Sequence, residues 1–261
     1  VYPTDPLLGL ACVKVITTFD KGKIMTKTFV TLANSVRKGS HCIAGRELTG
    51  HEGQWFWGSW IRPVSQHGEG EVSTQECLCT DGTLPVSLDM VEITLLSKQD
   101  CPSQPENYII DASVRWRKIG TITPASLAVI EEKPPSLWAQ SGTRSDRIHS
   151  SQAVGSLVPF QSLYLIRPDN LLFRIWEDMD EFRGGPRKHR RAIFNYGNVE
   201  YSLAITDPTM DSRYFRPFPA LNQPHRDIMP KTPANCLLVV SLAAPFTDGY
   251  HYKVVATVLE Y

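Results

Sequence analysis

AIFNYGNVEYSLAIT, Ala192–Thr206, holds two short runs in which apolar and polar residues alternate, with Gly197 and Asn198 between them. A period of two puts one side of each run in a core and the other toward solvent. The stretch therefore reads as two strands separated by turn chemistry. The same signature recurs in KTFVTLA (Lys27–Ala33), VEITLL (Val91–Leu96), YIIDASVRW (Tyr108–Trp116), SLYLI (Ser162–Ile166), LLFRIW (Leu171–Trp176), NCLLVVSLA (Asn235–Ala243) and YHYKVVATVLEY (Tyr250–Tyr261). All are short and rich in Val, Ile, Thr, Tyr and Phe. Helical periodicity is scarce: short helices are expected around Asp89–Val91, in TPASLAVIEE (Thr123–Glu132) and in DPTMDSRYF (Asp207–Phe215). Many short strands punctuated by Gly, Pro and Asp favour barrels or sandwiches over alternating βα units, so the chain is mainly β.

The 261 residues suffice for one large β domain or two small ones. EEKPPSLWAQSGTRSDRIHSSQ (Glu131–Gln152) is rich in Pro, Ser and charge and has no clear strand. It predicts a linker over 131–153 between modules at 25–130 and 154–261, each near the usual size of a small domain. No repeat between the halves is evident. Residues 1–24 read as a disordered leader or upstream extension, with Met25 as the natural start. The apolar run Leu7–Val13 lacks the preceding Lys or Arg of an export signal. No run reaches the ~20 apolar residues of a membrane helix, so a soluble, cytoplasmic protein with no membrane partner is expected. With 27 basic and 27 acidic residues the chain is no polycation, and any nucleic-acid surface must be a local patch. Six irregularly spaced cysteines suit mostly reduced thiols better than a disulfide scaffold.

The segments LANSVRKGSHCIAGREL (Leu32–Leu48), WIRPVS (Trp60–Ser65), PSQPENYIID (Pro102–Asp111), FNYGNVEYSLAITDP (Phe194–Pro208) and VVSLAAPFTDGYHYKVVATV (Val239–Val258), in that order, resemble the bacterial dual OB-containing domain family. The resemblance runs from about Thr26 to Leu259, and its specificity lies in the order of short motifs. It implies two OB-like β-barrel modules with a few short helices, and a nucleic-acid or nucleotide-binding role inferred for the family by fold analogy.

The first candidate site is the loop expected after a strand ending near Ala33. Asn34 and Ser35 can turn the backbone, and Arg37, Lys38 and Arg46 offer cations beside glycines that admit a phosphate. The spacing matches neither a Walker loop nor a dinucleotide fingerprint, and a solvated turn explains the same residues. Cys42 sits in this positive field, yet His41 beside it points to the opposite strand face and makes a poor base; a small buried thiol is the plainer reading. Cys77 and Cys79 have no second ligand pair, so no metal is expected, and no cofactor. In QWFWGSWIRPVS (Gln54–Ser65), Trp60 and Arg62 share a strand face and pair a stacking ring with a phosphate contact, although tryptophans here can equally fill a barrel. Gln104 and Asn107 can read hydrogen-bond edges or hold a turn around Pro102 and Pro105. In WEDMDEFRGGPRKHRRAIFNYG (Trp176–Gly197) a basic loop leads through Arg191 onto Phe194 and Tyr196, as single-stranded nucleic acid would need. The acidic run Glu177–Glu181 can instead pair with those cations and cancel the patch. Asp207 before Pro208 is a turn signal, and Ser241 lacks a nucleophile elbow.

These residues favour a non-catalytic protein binding nucleic acid, single-stranded by preference, or a nucleotide-derived ligand. Two other readings stand beside it: a nucleotide- or nucleic-acid-processing enzyme centred on Asn34–Arg46 with Cys42 or Asp207 in the chemistry, and a protein-interaction adaptor.

Overall fold

The computed structural model describes residues 24–37, 39–51, 54–68, 70–138, 145–153, 161–180 and 184–261. The first module is one sheet: β1 (Met25–Arg37), β2 (Ser40–His51), β3 (Gln54–Val64), β4 (Asp89–Lys98), β5 (Asn107–Ile110) and β6 (Arg117–Thr121). Its order β1-β2-β3-β5-β4 returns to β1 through a β1–β4 pairing, which closes a five-stranded barrel, and β6 adds to the outer side of β4. The β3–β5 pair is parallel and the others antiparallel.

The second module holds β7 (Arg147–His149), β8 (Leu163–Ile166), β9 (Asp169–Asp180), β10 (Gly185–Tyr196), β11 (Val199–Ile205), β12 (Arg226–Ile228), β13 (Cys236–Leu242) and β14 (Tyr250–Glu260). Its sheet runs β12-β9-β10-β11-β14-β13-β8, with β7 on β14. Strands β9-β10-β11-β14-β13 repeat the order of the first barrel, including a parallel third-to-fifth pair, β11–β14. The chain is mainly β, and its helices are short: a 3-10 turn at Pro124–Ile130, α1 (Ser150–Ala153), α2 (Met210–Arg213) and a 3-10 turn at Pro233–Asn235. Among the described residues no helix is long and apolar enough to cross a membrane.

Three apolar clusters explain the strand patterns. Phe29, Ile43, Ile61, Val91, Ile93, Leu95 and Trp116 fill the first barrel. Phe173, Ile175, Ala192, Phe194, Tyr201, Leu203, Leu238, Val240 and Val255 fill the second module. The third cluster lies between the modules: Val30, Leu32, Ala44, Leu48 and Trp60 from the outer side of β1–β3 meet Leu163, Leu165, Leu237, Val239, Ala256 and Leu259 from β8, β13 and β14. Neighbouring residues on a strand face opposite ways. Thus Leu238 and Val240 point into the module while Leu237 and Val239 point at the seam, which is why CLLVVSL is a continuous apolar run rather than an alternating one. β4, with only one side in a barrel core, keeps clean alternation.

Several expectations change. Asn34–Arg46 is not a loop but two paired strands, Val36 opposite His41 and Arg37 opposite Ser40, with Gly39 at φ +81° in the turn. A left-handed residue there suits glycine. Gly45 is glycine for another reason: a Cβ would fall on the Val30 carbonyl and the Phe29 ring. Asp89–Val91 is strand, all three paired with β6 and Met90 and Val91 also with β1, so a period of two defeats the local helix signal. The strand expected over Tyr108–Trp116 stops at Ile110, where Asp111 turns the chain by accepting from the Ser113 N–H and hydroxyl. Arg187–Arg191, read as a mobile loop, lies within β10. The expected linker is in part structured: Leu137 and Trp138 are buried, and β7 pairs with β14. The leader call over 1–24 lies, except for Ile24, outside the described residues.

Candidate functional site

Most residues singled out in the first half converge on the seam and not on open surface. Trp60 is 4% exposed, and its indole N–H donates to Glu132 Oε2 at 3.0 Å. Arg62 does share its face, as the register requires, and is 8% exposed; its guanidinium donates to Ser241 Oγ at 3.1 Å, across the module boundary. Burial lowers the Arg62 pKa, opposed by the nearby Glu106 carboxylate. Glu106 is spent on the other module too, accepting from the Ser162 N–H at 2.6 Å and its hydroxyl at 2.9 Å. Gln104 Nε2 donates to the Leu242 carbonyl at 3.3 Å. Asn107 donates to Gln99 at 2.8 Å and Gln104 at 3.3 Å and is itself buried. A guanidinium this buried, bonded to the Ser241 hydroxyl and near the Glu106 carboxylate, is closed off from a phosphate in solvent.

Asn34, Ser35 and Arg46 of the expected phosphate loop are bonded within the fold as well. Asn34 Nδ2 donates to the Pro85 carbonyl, and its Oδ1 accepts from His41 Nδ1–H at 2.8 Å. Ser35 contacts the Cys42 carbonyl at 3.5 Å. Arg46 donates to the Gly58 carbonyl at 2.8 Å, lies over the Trp60 ring and faces Glu132 at 3.7 Å. Arg37 ends β1, and Lys38 lies outside the described residues. Cys42 is half-buried. Asp207, the acid of the enzymatic reading, accepts from the Thr209 N–H and hydroxyl and from the Val258 N–H, a turn-and-strand tie. Cys77 and Cys79 are buried, Cys77 with its thiol pKa pushed up to about 12 by burial first. Among the described residues no group of three His, Cys, Asp or Glu is placed to hold a metal ion.

The second module presents a different face. In β9 and β10 the register places Asp178 opposite Arg187, Trp176 opposite His189, Arg174 opposite Arg191 and Leu172 opposite Ile193. These residues alternate with the core residues Phe173, Ile175, Ala192 and Phe194, so they share the outer side. β11 continues it with Ala204 opposite Arg191 and Ser202 opposite Ile193. No residue of β9, β10 or β11 belongs to the seam cluster, and these outward side chains are half-buried or exposed. At the centre the Trp176 and His189 rings stack in parallel, centroids 4.4 Å apart and planes within 2°. Arginines frame the stack and each has a carboxylate: Arg174 with Asp227 (2.7 Å, two bonds), Arg187 with Asp180 (3.5 Å) and Arg191 with Asp146 (3.9 Å); within the stack His189 Nε2 hydrogen-bonds Asp178 at 2.8 Å. Arg190, on the other side, binds Asp211 through two bonds. Between the two runs themselves Arg187 meets Asp180 and His189 meets Asp178, whereas Arg190 and Arg191 pair with Asp211 and Asp146, outside the acidic run that the cancelling reading named.

Of the residues expected here, Arg191 lies on the outer face, where it also donates to the Ser202 carbonyl at 2.9 Å; burial lowers its pKa and Asp146 opposes that. Phe194 is fully buried on the core side of β10, so its ring cannot stack on a ligand. Tyr196 donates to the Pro134 carbonyl at 2.8 Å. Trp176, His189 and Arg174 were missed. The signal was present: Gly185 opposes Asp180 across the Gly-Gly-Pro turn, and counting outward along both strands brings Trp176 against His189.

Compared with known proteins, residues 27–258 match the model of the dual OB-containing domain. No curated protein matches the chain.

Proposed function

We propose that this chain, which belongs to the dual OB-containing domain family, is a non-catalytic binding module that carries single-stranded nucleic acid on the outer face of β9, β10 and β11. One observation carries the reading: the Trp176–His189 stack sits among Arg174, Arg187 and Arg191 on the strands that lead an OB barrel, and among the described residues none of that face joins the apolar seam with the other module. A stacked pair with an open end extends by one more flat ring, which any base supplies, and guanidinium groups at strand spacing track phosphates. Each cation is already paired with a carboxylate, so a phosphate must exchange with that carboxylate, and the salt dependence of binding is shallow for the number of arginines present. A nucleotide-derived ligand uses the same chemistry, one ring and one phosphate.

The test is fluorescence anisotropy with single-stranded DNA, single-stranded RNA, duplex probes and mononucleotide competitors over a salt series. Trp176→Ala is expected to weaken single-strand binding about tenfold or more, since stacking contributes ~1–3 kcal/mol per base. Trp55→Ala in the first module leaves it unchanged. Absence of binding at low salt, or a Trp176→Ala protein that binds like wild type, overturns the proposal.

A further inference from the structure

The second half of β3 is enclosed, with Arg62, Pro63 and Val64 paired to β5. Its first half, Gln54–Ser59, has β2 on one side and, among the described residues, no strand on the other. A strand edge leaves main-chain N–H and C=O groups open to a further strand, and natural proteins guard such edges with charge or proline. QWFWGS has neither. Trp55 is 39% exposed and Phe56 66%, one on each side of the ribbon. The side bearing Trp55 is the one on which Trp57 and Leu48 pack into the seam, so the apolar surface that joins the two modules continues outward past them. The equivalent strand of the second module, β11, has the same free half, because only Ala204 and Ile205 pair with β14; there exposed Glu200 stands guard.

We propose that Gln54–Ser59 is an interface with a second copy of this chain, two β3 edges pairing antiparallel about a two-fold axis. A copy is the one partner whose edge is certain to be complementary: the segment is uncharged, so no like charges meet, and antiparallel self-pairing sets aromatic against aromatic on both sides of the joined sheet. Six residues from each chain make a small interface, below the ~1,200 Å² of a stable complex, so the dimer is weak and depends on concentration. The inference does not depend on nucleic-acid binding.

Sedimentation velocity from about 1 µM to about 100 µM tests it. The wild-type chain is expected to shift from its 29.3 kDa monomer toward twice that mass as concentration rises. Trp55→Lys with Phe56→Lys is expected to hold it at monomer mass. Gln54→Lys, which keeps both aromatics and adds only charge to the edge, is expected to weaken association at least tenfold. Phe246→Lys, a charge added at an exposed aromatic of the second module, leaves the shift intact. A monomer throughout the range overturns the proposal, as does a dimer that Gln54→Lys leaves unchanged or that Phe246→Lys abolishes.

Discussion

Six residue pairs join β1 to β4, Met25–Val30 against Leu95–Met90, and close the first barrel. The equivalent strands of the second module, β9 and β13, have no such pairing among the described residues; β12 occupies the free edge of β9 and β8 that of β13. The two modules therefore share a strand order and differ in what they do with their outer faces. The first turns the outside of β1–β3 into an apolar wall and docks the second module on it, around Trp60 and the buried Arg62. The second meets that wall with β8, β13 and β14, which leaves β9–β11 outward with Trp176, His189 and their arginines. One strand order thus yields a docking face in one copy and an open face in the other, and the deciding variable is whether the outward positions are apolar or charged.

The comparison breaks most directly at its two tryptophans. Trp60→Ala removes a buried indole from the seam and is expected to cost about 3–5 kcal/mol in urea unfolding, with a second transition if the modules come apart. Trp176→Ala is expected to cost about 1 kcal/mol or less, because its ring is only half-buried. Equal losses at the two sites would show that the faces do not differ in kind.

Lys253 sharpens the contrast between buried and exposed charge. It is 1% exposed on β14, and burial pulls its pKa from 10.5 down to about 8, opposed only in part by Asp146. The folded lysine releases its proton first, so between pH 8 and the unfolded value the unfolded chain holds more protons and stability rises with pH. From pH 7 to pH 9.5 the share of Lys253 alone is on the order of 2 kcal/mol, and Cys77 and Cys236, each pushed from 9.0 up to about 12 chiefly by burial, oppose it over the same range because their unfolded thiols ionise first. Above pH 10 the effect reverses, since Tyr164, Tyr196 and Tyr214 are pushed up to about 12, chiefly by burial, and the unfolded tyrosines ionise first. Without the lysine the thiols dominate, so urea melts of Lys253→Met are expected to lose stability over pH 8–9.5 relative to wild type; equal slopes for the two proteins would assign the lysine's share elsewhere. The smallest effect belongs to Arg187, the exposed member of its 3.5 Å pair with Asp180: Arg187→Ala is expected to move stability by about 0.5 kcal/mol or less, measured the same way.

Strands were legible wherever one side met a core and the other met water. The alternation in β4 and β11 predicts them directly, and the double-sided burial of β13 appears as an unbroken apolar run. β2 was not legible, because Gly, His, Cys and Arg at its start carry turn and ligand signals that pairing with β1 overrides. Trp60 and Arg62 were rightly placed on one side of β3, but whether that side holds solvent or another module is not written in twelve residues.

The short alternating runs by themselves determined a mainly β chain, since side-chain period and turn chemistry are local properties of the backbone; the two barrel-like halves followed from the resemblance carried by the ordered motifs, whose family residues 27–258 match. Only the tertiary structure decided that Arg62 is sealed in a seam, that the basic stretch of β10 is answered by Asp146, Asp178, Asp180 and Asp211, and that Trp176 stacks on His189. Charge pairing and exposure depend on which distant segments the fold brings together. A sequence lists those segments but does not by itself measure the distances between them.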